Sequence, residues 1–475
     1  MSNPTITTNE RSKTELTPET IDAFRSGLRG SLLTPASNDY NEARTIWNGM
    51  IDRHPAFIVR CAGTADVINA VNFARENNLL VAVKGGGHNI AGHAICDAGI
   101  VIDLSPMKAV HVDPVTRRAR VQPGATLRDF DHETQAFGLA TPLGINSTTG
   151  IAGLTLGGGF GWLTRKYGAT VDNLVAADVI TAEGKLVHAS ASSNSDLFWG
   201  IRGGGGNFGI VTSFEFQLHP VGPMIYGGLI VFPFDQAKSA LQQYREYAKT
   251  LPEEANTWAV MRKAPPLPFL PESIHGKEVI VFPNFFAGNE NDGAKHTDKV
   301  KKFGTPVGEH LGMMPYTAWQ QAFDPLLAPG ARNYWKSHNF AALTDEVIDV
   351  VLESVSTLPS PDCELFLGML GAAYSRVPEN ATAYSQRDAQ FVVNVHSRWN
   401  SPADDEACIE WARTFFRNAA PYATGGVYVN FMTEEEGDRI QGGAYRSDVM
   451  TKLTAVKKTW DPNNFFRMNQ NIKPG

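Results

Sequence analysis

The rhythm of hydrophobic and polar positions changes along the chain. Ile21, Phe24 and Leu28 recur at helical spacing behind Thr17-Pro18-Glu19-Thr20, a helix start of the capping type. An apolar run at 56–60 predicts a strand. Val67, Ala70, Val71 and Ala74 then predict a helix over 66–77 capped by Thr64, and 79–83 predicts a second strand. From residue 100 the pattern shortens into strands at 100–104, 109–112, 119–121, 174–181, 184–189 and 210–218, with a helix at 127–137. Beyond Pro220 and Pro223 the texture changes again. Longer alternating runs (225–232, 278–286, 364–370, 390–398) predict strands, and 234–251, 345–358 and 404–417 read as amphipathic helices. This stretch is rich in aromatics, among them Tyr334, Trp335, Phe366, Tyr374 and Trp399; on a sheet most of these belong to a core and a minority to a site.

Three glycine-rich runs interrupt the first 220 residues. They are Lys84-Gly85-Gly86-Gly87-His88-Asn89-Ile90-Ala91-Gly92, the stretch from Gly150 to Gly161, and Arg202-Gly203-Gly204-Gly205-Gly206-Asn207-Phe208-Gly209. Glycine lets backbone approach a ligand closely, at a cost in chain entropy. Gly204 to Gly209 satisfies G-x-G-x-x-G, but a strand follows it where a dinucleotide fingerprint requires a helix, which argues against a Rossmann site. The chain has no phosphate-loop, H-E-x-x-H or G-x-S-x-G motif, and His88 and His93 stand without a carboxylate pair, so no metal is expected. Three separated loops of bare N–H groups need a long ligand, and a pyrophosphate-linked dinucleotide fits.

At 475 residues the chain calls for two domains. A net charge of −7 gives no reason to expect nucleic acid or an anionic membrane surface, and no apolar run is long enough to span a bilayer. Cys61, Cys96, Cys363 and Cys408 are far apart and read as reduced thiols. With no apolar leader in residues 1–20, the expected location is cytoplasmic.

The order of these loops, with Asp172-Asn173 and the amide-rich Asn469-Gln470-Asn471, resembles the FAD-linked oxidases of the vanillyl-alcohol oxidase (PCMH-type) superfamily, and within it the berberine-bridge-enzyme-like branch. The resemblance implies an α+β fold: a two-subdomain PCMH-type FAD-binding domain at 1–220 and 421–475, with an antiparallel-sheet substrate domain covered by helices inserted at 221–420. It implies FAD bonded covalently through its 8α-methyl group to His88. Asn146 stands where many members carry a second, cysteinyl tether, so the histidyl-only form is implied. The cofactor residues it implies are Lys84, Gly85, Gly86, Gly87, His88, Asn89 and Gly92 in the first loop. The second contributes Asn146, Ser147, Thr148, Thr149, Gly150, Gly153, Gly157, Gly158, Gly161, Asp172 and Asn173, and the remainder are Gly206, Gly209, Ile210, Val211, Asn469 and Asn471. The family's base is often a tyrosine in Tyr-x-Asn-Tyr-x-Asp. Here Tyr428 and Asn430 match while Phe431 and Thr433 depart, leaving Tyr428 as the candidate base and its identity open. The activity implied is an FAD-linked oxidase acting on an alcohol, amine or sugar small-molecule substrate, with O₂ reoxidation giving H₂O₂. A dehydrogenase with another acceptor, or a flavin- or sugar-binding protein without turnover, are the alternatives.

Overall fold

The computed structural model describes residues 5–475. Three sheets organise it. The first has four strands in the spatial order Ser31–Leu33, Phe57–Arg60, Ile100–Asp103, Val81–Lys84, of which the last three run parallel. The helix Thr64–Glu76 makes the crossover between two of them and buries Val67, Ala70, Val71 and Ala74, as their spacing requires. Its cap differs from expectation: Thr64 is the first helical residue and Gly63 precedes it. The side chain acting at this end is Asp66, which accepts from the N–H groups of Arg29, Gly30 and Ala62 and so binds neighbouring loops instead of its own helix.

The second sheet is antiparallel, with the order Leu186–Ser190, Leu174–Ile180, Ile210–Gln217, Arg118–Val121, Val110–Asp113. The C-terminal helix Ser447–Trp460 packs here, sending Val449, Leu453 and Val456 among Leu197, Phe198 and Phe208. Val427, Val429 and Ile472 enter the same core, so the end of the chain returns to the first 220 residues.

The third sheet has eight antiparallel strands. Seven follow the order Gly308–Pro315, Met224–Pro233, Glu278–Phe286, Ala259–Lys263, Glu364–Met369, Phe391–Trp399, Arg332–Phe340, and Ala255–Thr257 also pairs with Glu278–Phe286. Helices Ala237–Ala248, Asp345–Val355 and Asp405–Ala419 bury apolar stripes in the core of this layer. The helix expected over 234–251 is shorter because a single 3₁₀ turn, Phe234–Gln236, precedes it. Three of these strands carry no clean alternation. In Arg332–Phe340 polar and aromatic residues fall on both faces, and most are buried: His338 stacks on Phe416 of the covering helix at 4.3 Å, while Trp335 turns to the opposite face.

Between the second and third sheets lies Asp131, wholly buried on the helix Leu127–Gln135, with one carboxylate oxygen accepting from Gln320 Nε2 and the other unpartnered. Burial pushes its carboxyl up to about 7, against the opposing hydrogen bond from Gln320. A folded-state value raised above the unfolded one stabilises below about pH 4 and loses that contribution as pH rises through 7. Asp131→Asn is therefore expected to stabilise the fold by about 2–4 kcal/mol at pH 8 and to flatten the loss of stability between pH 4 and 7. Thermal melts across that range check it.

No helix among the described residues is long and apolar enough to cross a membrane, and the four cysteines are buried and free.

Candidate active site

The three glycine loops converge on one cleft with about 1880 Å³ of atom-free space, counted to its open mouth. The parallel strand Val81–Lys84 ends in the first loop, and Gly150 opens the short helix Ile151–Leu156. These two loops touch at Gly86 and Gly150, where a Cβ on either would lie 2.5 Å from the other's backbone. At Gly153 and Gly206 the space a Cβ would enter is open, so the wall there is bare backbone facing the cleft. Among the described residues, none of the N–H groups of Gly86 to Asn89 donates to a backbone acceptor. The third loop is closed by the chain terminus: Asn207 donates to Gly204 O and Gln470 O and accepts from the N–H of Ile472.

His88 lines the cleft from the first loop. Its ring stacks on Trp47 with centroids 5.1 Å apart, and Nε2 lies 3.0 Å from Thr148 Oγ1. Thr148 Oγ1 gives its own proton to Asn146 Oδ1 at 2.7 Å and therefore accepts from the ring. That assigns the proton to Nε2 and leaves a lone pair on Nδ1. Burial pushes the imidazole down to about 4, against the pull of Asp324, so the ring is neutral near pH 7.

Of the residues expected at the cofactor, Gly85, Gly86, Gly87, His88, Asn89, Asn146, Thr149, Gly150, Gly153, Gly206, Gly209, Ile210, Val211 and Asn469 line the cleft, as do Tyr428 and Asn430. The others stand behind that wall. Lys84 turns away and donates to Ala43 O. Ser147 is held by Asp324, and Thr148 acts through His88. Gly92, Gly157, Gly158 and Gly161 press against Ile51, Asn430, Tyr384 and Leu143 O respectively, where a side chain would collide. Asp172 is taken by a two-pronged ion pair with Arg387, and Asn173 by Tyr167 O, Ala169 O and His219. Asn471 is half-buried outside the cleft lining, with its Oδ1 out of solvent and unpartnered. Cys96, the thiol nearest in sequence to His88, lies among Leu80 and Ile100 rather than in the cleft, and burial pushes it up to about 12.

The Tyr428 hydroxyl accepts from Gly159 N–H at 3.0 Å and from Asn430 Nδ2 at 2.9 Å. Burial pushes its phenol well up, so near neutral pH it holds its proton and serves as a donor. Around it the third sheet and the neighbouring loops supply Phe160, Trp335, Phe366 and Phe431, joined ring to ring, and His396 behind them. Trp47, Trp335 and His396 were not expected at the site.

Residues 55–190 match the family described as FAD binding domain, and residues 427–473 match berberine and berberine like. An FAD-linked oxidoreductase of Dictyostelium discoideum is 31% identical over 459 residues, covering 96% of this chain and 97% of that protein. The chain belongs to the berberine-like FAD-linked oxidoreductases. This member is similar across 94% of its length to the (R)-6-hydroxynicotine oxidase of Paenarthrobacter nicotinovorans, 29% identical over 97% of that protein. The crystal structure of 6-hydroxy-D-nicotine oxidase from Arthrobacter nicotinovorans superposes with a TM-score of 0.82 at 27% identity, covering 94% of this chain and 98% of that one. A Physcomitrella patens BBE-like protein shares the fold, with a TM-score of 0.86 at 22% identity over 96% and 99% of the two chains. The oxidoreductase is accordingly an α+β FAD enzyme, and the glycine cradle, the unpaired N–H groups and the neutral His88 all fit that cofactor.

Proposed function

We propose that this enzyme is an oxidase whose FAD is held in the glycine-lined cleft by a single covalent bond to His88 Nδ1. The observation that carries the reading is the Asn146–Thr148–His88 chain, which puts the proton on Nε2 and leaves the Nδ1 lone pair free on a ring that burial keeps neutral. Bound FAD would supply the two-electron acceptor and the reaction with O₂ that yields H₂O₂. The chain's own residues do the rest. The N–H groups of Gly86 to Asn89 offer donors to the pyrophosphate, and the Asn469 side chain closes the cleft from the terminus. Tyr428 offers its O–H to a substrate heteroatom while Asn430 and Gly159 hold the oxygen in place. The aromatic wall excludes water and presents flat surfaces to the small-molecule substrate. Its relatives' names include a hydroxynicotine oxidase and a chitooligosaccharide oxidase, which supports an alcohol, amine or sugar as the class. Residues 1–220 and 421–475 form the cofactor domain in this reading, and 221–420 the substrate domain.

The test is anaerobic mixing with a panel of hydroxyaromatic amines, benzylic alcohols and oligosaccharides. At least one is expected to bleach the flavin, and air should restore the colour with one peroxide per cycle. Bleaching without recovery in air would make it a dehydrogenase, and no bleaching by any compound would count against turnover. Thr148→Val should leave Nε2–H without an acceptor and slow flavin attachment roughly five- to tenfold, the worth of one hydrogen bond. Timing the appearance of acid-stable flavin on apoprotein supplied with FAD measures it.

A further inference from the structure

Strand register sets four side chains in one row across the third sheet. Arg262 pairs with Glu364, Glu364 with His396, and His396 with Trp335. Arg262 donates to Glu364 Oε2 at 2.6 Å, and Glu364 Oε1 lies 3.1 Å from His396 Nδ1. Burial alone would raise the Glu364 carboxyl, but Arg262 and His396 outweigh it and bring it down to about 2. An ionised carboxylate can only accept, so Nδ1 carries a proton, and in the neutral ring Nε2 holds the lone pair. That Nε2 is buried without a partner, on a residue 4% exposed that lines the flavin cleft. The ring is pinned by Trp335 stacked at 4.4 Å and by Phe366 edge-on at 4.8 Å. Trp335 Nε1 is also buried and unpartnered in the same wall. One free acceptor and one free donor in an aromatic box match a single hydroxyl group.

Ile145, Trp258 and Phe366 are shared with a second, adjoining chamber of about 720 Å³ of atom-free space, counted to its open mouth and lined chiefly by aliphatic side chains such as Leu229, Val260 and Val281. Its charged groups, Arg262 and Glu364, are engaged with each other. A sugar would bring several hydroxyls that find no partner there, at a desolvation cost for each. A flat apolar ring with one hydroxyl loses little.

Resting on the oxidase reading above, we propose that the substrate is a hydroxylated aromatic compound with an apolar extension, and that His396 Nε2 accepts its hydroxyl proton, with Glu364 as the positioning residue. In that step the O–H bond breaks, its electron pair stays on the substrate oxygen, and the new N–H bond makes His396 an imidazolium paired with the Glu364 carboxylate. The row then carries two cations and one anion, with Arg398 on the same strand and face as a third cation, so a bound phenolate is favoured.

The experiment uses flavin-loaded enzyme titrated with 4-nitrophenol, whose anion absorbs in the visible, read as a difference spectrum across pH. Wild type is expected to bind it and to lower its ionisation midpoint, making ionisation roughly ten- to a thousandfold easier than in water. His396→Asn, which can keep the bond to Glu364 while deleting Nε2, should still bind the neutral phenol but lose the shift. Glu364→Gln should reduce the shift. Failure of wild type to bind the probe, an unchanged shift in His396→Asn, or ready displacement by chitobiose would each overturn the proposal. Visible flavin absorbance in the same samples separates this from the oxidase reading: intact flavin with no phenol shift sinks the inference about His396 alone.

Discussion

His88→Ala is expected to yield protein from which all flavin dissociates on acid denaturation, whereas wild type keeps its flavin through the same treatment. The substitution removes the neutral imidazole that stacks on Trp47 beside the glycine cradle and whose Nδ1 is left free by the Thr148 contact. No thiol can take its place, because Cys96 is buried outside the cleft and held as the thiol. Nor can Asn146, Ser147, Thr148 or Thr149, since amides and ordinary hydroxyls are poor nucleophiles at neutral pH. Only a ring stacked on Trp47 is lost from the packing, so the fold should survive and FAD should still bind reversibly. Precipitation in acid followed by visible absorbance of pellet and supernatant reads the result.

Lys457→Met should destabilise the protein by about 3–5 kcal/mol, because it leaves a carboxylate buried without its counter-ion. Lys457 and Asp461 are both fully buried, with Nζ 2.6 Å from Oδ2. Nζ also donates to Asn207 O in the third glycine loop and to Phe466 O, while Asp461 accepts from the N–H groups of Phe465 and Phe466. This knot orients the segment that carries Asn469 and Gln470 to the cleft, so a weaker FAD affinity should accompany the lower melting temperature. Melts of variant and wild type, with and without added FAD, check both effects.

The glycine loops and His88 were legible in the sequence because their signal is local: absent side chains and one histidine within nine residues. The strands at 278–286 and 364–370 were legible as apolar runs, and the observed Glu278–Phe286 and Glu364–Met369 fall close to those bounds. His396 was not, since its role comes from the register of four strands holding residues 262, 335, 364 and 396, and its own strand Phe391–Trp399 is buried on both faces with no alternation to announce it. Asn146 stands in sequence where the second tether would be; its work, accepting from Thr148 so that Thr148 can hold His88, depends on a contact between two separate loops. Asp172 and Asn173 belong to the same lesson. Adjacent polar residues beside a glycine loop look available to a ligand, but Arg387 and His219, far along the chain, already engage them.

The most direct measurement is a crystal structure of the flavin-loaded enzyme. The account predicts continuous density from His88 Nδ1 to the flavin, the Thr148 contact to Nε2 retained, and the pyrophosphate against the N–H groups of Gly86 to Asn89. Density joining the flavin to Nε2 or to another residue, or a flavin bound outside the glycine-lined cleft, would contradict it.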